Sequence, residues 1–140
     1  MTKKLTGKEL KARAAARKYG YRSGLEKGVA DSLKKRKVKF EYEKTKIKWE
    51  DFKVRTYTPD FVLPNGIIIE TKGRFTVADR MKHRAVKEQY PDLDIRFVFS
   101  NPNAKLSKNS STTYAQWCRR YGFKYAAKDI PDKWIEEEKD

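Results

Sequence analysis

Thr58-Pro59-Asp60-Phe61-Val62-Leu63-Pro64-Asn65-Gly66-Ile67-Ile68-Ile69-Glu70-Thr71-Lys72-Gly73 decides how this chain is read. Phe61 to Leu63 and Ile67 to Ile69 are unbroken apolar runs, the pattern of strands buried on both faces. Between them, Pro64 presets φ for the first turn position and Gly66 accepts φ > 0 at the last. A Pro64-Asn65-Gly66 loop sets Leu63 against Ile67, and counting back sets Asp60 against Glu70. Directly opposed residues have Cβ atoms roughly 4.5–5.5 Å apart, where like charges destabilise a sheet. A divalent cation between the two acids reverses that sign. Lys72 shares the face of Glu70, while Thr71 points the other way. The stretch therefore predicts a hairpin carrying a metal site with a lysine beside it.

The 140 residues fit one domain with a hydrophobic core of useful size. A net charge of +15 predicts a polyanionic partner, most simply nucleic acid. No basic helix carries the bulky apolar face that an anionic membrane surface demands, and no run approaches transmembrane length. The single cysteine, Cys118, excludes an internal disulfide framework and fits a reducing compartment. The expected location is the cytoplasm.

Around the hairpin the chain alternates helices and strands. Residues 1–19 read as a flexible basic arm, 20–135 as the folded domain and 136–140 as an acidic, frayed tail. Ser23 and Glu26 have capping-box spacing, and Leu25, Val29 and Leu33 mark the first helix. Val38, Phe40 and Tyr42 alternate with charged residues as a half-buried strand. Residues 44–57 remain β-prone and charged, with a break near Glu50-Asp51. Without the Gly or Pro of a tight hairpin, that segment suits a strand reaching toward a second subunit. Thr76 and Asp79 start a helix that Pro91 stops, and 94–100 is a buried strand. Tyr114, Trp117, Cys118 and Tyr121 share a helical face ended by Gly122. A short edge strand at Phe123–Tyr125 and a helical turn at Trp134 complete an α/β (α+β) architecture, a mixed sheet flanked by helices.

Asp60, nine intervening residues and Glu70-Thr71-Lys72 have the PD…ExK spacing of many metal-dependent nucleases. Mg²⁺ takes oxygen ligands and typically one or two carboxylates from protein. Asp60 and Glu70 supply these, with the Thr71 carbonyl as a third ligand and Lys72 orienting the attacking water and offsetting transition-state charge. Glu26 has two readings, the partner of Ser23 in a helix cap or the remote acid of the metal site. His83 reads as a surface residue of its helix, possible DNA contact included. Cys118 reads as core.

Tyr21–Glu26, Phe40-Glu41-Tyr42-Glu43, Thr56–Phe61, Leu63–Ile67, Glu70–Gly73 and Asp92–Arg96 together resemble the phage endonuclease I family, the Holliday-junction resolvases of T-odd podophages. The resemblance spans about residues 20–135. It implies a restriction-endonuclease-like fold in an intertwined, domain-swapped homodimer that cuts four-way and branched DNA. It also implies Mg²⁺, with Mn²⁺ as a substitute and two ions per site, and no small-molecule cofactor. By the same resemblance Asp60, Glu70 and the Thr71 carbonyl hold one metal, Glu26 with Asp60 holds the second, and Lys72 is the catalytic lysine. Glu26 is then expected from the partner subunit. The other readings of the same residues are a restriction-type nuclease on linear duplex and a basic DNA-binding protein without catalysis.

Overall fold

The computed structural model describes residues 20–50 and 53–138; the basic arm at 1–19 and the last two residues of the acidic tail lie outside the described residues. A five-stranded mixed sheet organises the chain. Its strands are β1 (Glu41–Tyr42), β4 (Phe61–Val62), β5 (Ile68–Lys72), β6 (Ile95–Phe99) and β7 (Lys124–Ala127), side by side in that order. β1 with β4 and β4 with β5 run antiparallel, whereas β5, β6 and β7 run parallel. A second, two-stranded sheet holds β2 (Ile47–Glu50) and β3 (Val54–Tyr57). The helices are α1 (Gly24–Lys35), α2 (Val77–Gln89), α3 (Tyr114–Tyr121) and α4 (Asp132–Glu136). The mixed sheet with flanking helices is the predicted architecture.

The hairpin at the centre has the expected register. Phe61 pairs with Ile69 and Val62 with Ile68. The Leu63 and Gly66 amides donate to the carbonyls of Ile67 and Leu63, both at 2.9 Å. Gly66 sits at φ 88°, the left-handed conformation a glycine takes without steric penalty. Asn65 fastens the turn by donating to the carbonyls of Trp134 (2.8 Å) and Glu137 (3.0 Å).

The continuous apolar runs are explained by helices on both faces of the sheet. Ile69 and Phe61 point into one layer with Val29, Ala30 and Leu33 of α1 and with Trp134 of α4. Ile68, Phe97 and Phe99 point into the other, with Val86 of α2 and Trp117 and Cys118 of α3. Cys118 is buried as predicted, and burial pushes its thiol up to about 12, so it behaves as an inert small hydrophobe.

Three helix starts follow local capping chemistry. Ser23 accepts from the Glu26 amide, and both halves of the capping box form at Thr76/Asp79 and Thr113/Gln116. Gly122 closes α3 at φ 78°.

Two segments differ from expectation. The strand read from Val38 to Glu43 joins the ladder only at Glu41–Tyr42, because Glu43 turns to φ 50°. The segment read as reaching outward carries a β2–β3 hairpin, with Glu50 paired to Val54. Trp49 is thereby buried, and Gln89 of α2 exchanges two hydrogen bonds with the Glu50 backbone, at 2.7 and 2.8 Å. In the acidic tail, Glu136 ends α4, and Glu137 pairs with Arg96 at 2.5 Å and is docked against the sheet. Among the described residues no helix is long and apolar enough to cross a membrane.

Candidate active site

Extending the two ladders by one residue from Phe61 brings three acids level on adjacent strands. Asp60 falls opposite Glu70 of β5, as the hairpin predicted. On its other side it faces Glu43 at the end of β1, whose amide donates to the Asp60 carbonyl at 3.1 Å. The first turn of α1 adds Glu26 above them. Carboxylate oxygens of Glu26, Glu43 and Asp60 lie within 4.8 Å of one another. Asp60, Glu70 and Glu26 are all buried, at 2, 3 and 6% exposure, which no set of unpaired carboxylates tolerates without compensation.

Asp60 and Glu70 each commit one oxygen to the protein. Oδ2 of Asp60 accepts from the amide (2.8 Å) and the hydroxyl (2.9 Å) of Thr71. Oδ1 accepts from the Arg22 guanidinium at 3.3 Å. Oε2 of Glu70 accepts from the Tyr57 hydroxyl (2.8 Å) and the Asp60 amide (3.1 Å). Its Oε1 has no hydrogen bond among the described residues, with the Lys72 ammonium at 3.9 Å and His83 Nε2 at 3.7 Å. Among the described residues, Glu70 thus has one oxygen fixed by two donors and one left to ion-pair neighbours alone, while the second oxygen of Asp60 is held only by the exposed Arg22. The Thr71 hydroxyl, expected on the opposite face, reaches Asp60 because Asp60 precedes β4 and its side chain curls over the strand end.

Electrostatics confirm an excess of negative charge. Burial, and then Asp60, raises Glu70 to about 8 against Lys72 and the Tyr57 hydrogen bond. Burial, and again Asp60, raises Glu26 as well. The Tyr57 phenol is pushed well above its ordinary range by burial and by Glu70 beside it. A hard dication lowers both carboxyls by offering them the opposite charge. The donor set is entirely oxygen, which suits Mg²⁺ or Mn²⁺ rather than a thiolate-seeking metal.

Glu26 resolves the two readings of the sequence. Its amide completes the helix cap with Ser23, while its carboxylate accepts from the Tyr42 hydroxyl and lies 3.7 Å from Arg22. The backbone completes the cap and the side chain lies among the clustered acids. Within this chain Glu26 reaches the Asp60 of its own chain. Lys72 is held by Asp79, the acid of the α2 capping box. Asp79 Oδ2 accepts from the Thr76 amide (3.0 Å), while Oδ1 accepts from Lys72 (3.2 Å).

Sequence reasoning missed three residues here. Arg22 contacts Glu43 at 2.5 Å besides Asp60 and Glu26, so one guanidinium spans three carboxylates. Burial acts to lower its pKa, but the three acids outweigh that and raise it. Its spacing of four from Glu26 was the available signal. Glu43 read as a solvent-facing strand position, and only its φ of 50° turns it inward. Asp79 carried a signal as the unusual Asp of a capping box. The surface placement of His83 is wrong: the ring is fully buried between Tyr57 and Phe97. Polar neighbours in sequence concealed a helix face turned toward the sheet.

Comparison with known proteins adds family relationships. The phage endonuclease I family profile matches residues 7–140. The chain is 50% identical over 125 residues to Endonuclease I of Escherichia phage T7, an alignment covering 88% of this chain and 84% of that protein. It is 47% identical over 120 residues to Endodeoxyribonuclease 1 of Enterobacteria phage T3, covering 85% of this chain and 79% of that protein.

Proposed function

We propose, from the premise that this chain belongs to the phage endonuclease I family and is a DNA endonuclease, that it is Mg²⁺-dependent and selective for branched DNA. Its substrate is then the four-way (Holliday) junction, and Glu26, Asp60, Glu70 and Lys72 form its cutting site. The observation that carries this reading is the row Glu43–Asp60–Glu70 at one sheet end, with Glu26 above and Lys72 beside it.

In this reading Asp60, Glu70 and the Thr71 carbonyl hold one cation, and Asp60 with Glu26 a second, Glu43 lying close to that pair. A bound dication supplies Lewis acidity toward the phosphodiester and offsets the charge that develops on its oxygens. The chain's residues do the rest. Thr71 and Tyr57 fix one oxygen of Asp60 and of Glu70, so the other oxygen of each keeps its direction. Lys72, oriented by Asp79, donates to the attacking water or to the phosphate oxygens as negative charge accumulates. The water oxygen bonds to phosphorus and one P–O ester bond breaks, leaving a phosphate on one fragment and a hydroxyl on the other.

A homodimer suits the substrate, because two symmetry-related sites address two strands of a junction. Exchange of α1 and β1 between copies rebuilds the Glu26–Asp60 contact across chains, with residues 44–57 as the connecting segment. A charge of +15 supports a phosphate-tracking partner surface that reads shape more than base sequence. With relatives encoded by phages, the proposed place of action is the host cytoplasm.

The test is cleavage with Mg²⁺ of a four-way junction and of linear duplex with matched arms. Preferential junction cutting supports the proposal. Equal rates identify a nuclease of linear duplex, and binding without cutting identifies a non-catalytic DNA-binding protein.

A further inference from the structure

His83 is the sole histidine of the chain, and nothing in the chemistry above uses it. It lies on α2 with no exposed surface. The Tyr57 ring meets it edge-on at 5.2 Å, and the Phe97 ring does so at 4.9 Å. Neither ring nitrogen has a hydrogen-bond partner among the described residues. A buried polar group left without a partner destabilises the fold, whereas a phenylalanine in this aromatic pocket carries no such penalty. The imidazole is not random in direction. Its Nε2 points at Oε1 of Glu70 from 3.7 Å, just beyond hydrogen-bond reach. That oxygen is the one Glu70 leaves open, since Tyr57 and the Asp60 amide occupy Oε2.

We propose that His83 is a positioning residue for Glu70, donating from Nε2–H to Oε1 once the carboxylate turns to take a cation. A carboxylate oxygen has two lone-pair directions, so Oε1 can accept from His83 with one and face the cation with the other. Tyr57 packs on the His83 ring while bonding Oε2, so the two side chains grip Glu70 from both oxygens. Groups of this kind hold a ligand's orientation, and removing one typically weakens metal binding by about 10–100-fold. The inference rests on the metal-dependent reading of the site.

The experiment measures Mn²⁺ binding calorimetrically on DNA-free protein, with thermal stability alongside. His83→Phe keeps the edge-on aromatic packing and removes the donor. The expected result is unchanged or raised thermal stability with Mn²⁺ binding weakened about tenfold, and His83→Gln recovering part of the affinity. Wild-type Mn²⁺ affinity in His83→Phe makes the residue a core filler and overturns the inference. If wild type binds no Mn²⁺, or Asp60→Asn binds it equally well, the metal-site reading fails and takes this inference with it. If His83→Phe does not fold, the wild-type ring serves as its own reporter. As the sole histidine, its ¹⁵N–¹H signal is unambiguous, and the Nε2–H resonance should shift on Mg²⁺ addition in wild type but not in Glu70→Gln. No shift in wild type overturns the proposal.

Discussion

Replacing Glu70 with glutamine should stabilise the metal-free protein, and only above the acid range. Glu70 is 3% exposed and lies beside Asp60, and together burial and that charge raise it from 4.5 to about 8. Because the folded state holds this proton more tightly than the unfolded chain, Glu70's contribution is fully present below 4.5 and lost as pH climbs to about 8. The gap of roughly 3.5 units at ~1.4 kcal/mol each sets an upper bound of ~5 kcal/mol. Glutamine keeps the acceptor for Tyr57, and relaxation around the buried carboxylate takes up part of that bound, which leaves an expected gain of ~2–3 kcal/mol, or roughly 6–9 °C in Tm. Thermal unfolding in excess chelator at about pH 4 and about pH 9 measures it. Wild type and Glu70→Gln should coincide in acid and separate in base. Adding Mg²⁺ at the higher pH should then raise wild type more than the variant. A variant no more stable than wild type at the higher pH, or an offset equal at both, refutes the reasoning.

Arg22→Met removes the guanidinium that spans Glu26, Glu43 and Asp60; since the side chain is two-thirds exposed, the screened contribution is ~1 kcal/mol and Mn²⁺ should bind roughly fivefold tighter to DNA-free protein, with weaker binding counting against the idea. Asp79→Asn loosens Lys72 and one half of the α2 cap; turnover on junction DNA should fall roughly 10–100-fold with stability down by ~1 kcal/mol or less, as checked by single-turnover cleavage beside thermal unfolding. Mixing Glu26→Ala with Asp60→Ala protein distinguishes shared from self-contained sites. Exchanged dimers regain one intact site and nick the junction, whereas sites built within one chain stay dead in every combination.

The central hairpin was legible because its information is local. A Pro-Asn-Gly turn has one natural register, and register alone decides that Asp60 and Glu70 share a face. Glu26 was half legible: Ser23 made its capping role plain, but the approach of α1 to Asp60 depends on packing between segments 34 residues apart. Glu43 was hidden by a left-handed φ that strand periodicity does not foresee. His83 was misread because Lys82 and Arg84 flank it, while its burial is set by the Tyr57 and Phe97 rings of two distant strands. The β2–β3 segment lacks the usual hairpin punctuation in its sequence, and its strands are held by tertiary contacts, Trp49 in the core and Gln89 on the Glu50 backbone.

Asp60 is the residue on which everything converges, since Glu26, Glu43, Glu70, Thr71 and Arg22 all address it. Single-turnover cleavage of a four-way junction with Mg²⁺ by Asp60→Asn is therefore the most direct measurement. The expected result is a rate lowered by about 10²–10³-fold or more, with junction binding retained. A variant that cuts within about threefold of wild type, well under the ~10²-fold loss of a transition-state contact, contradicts the account.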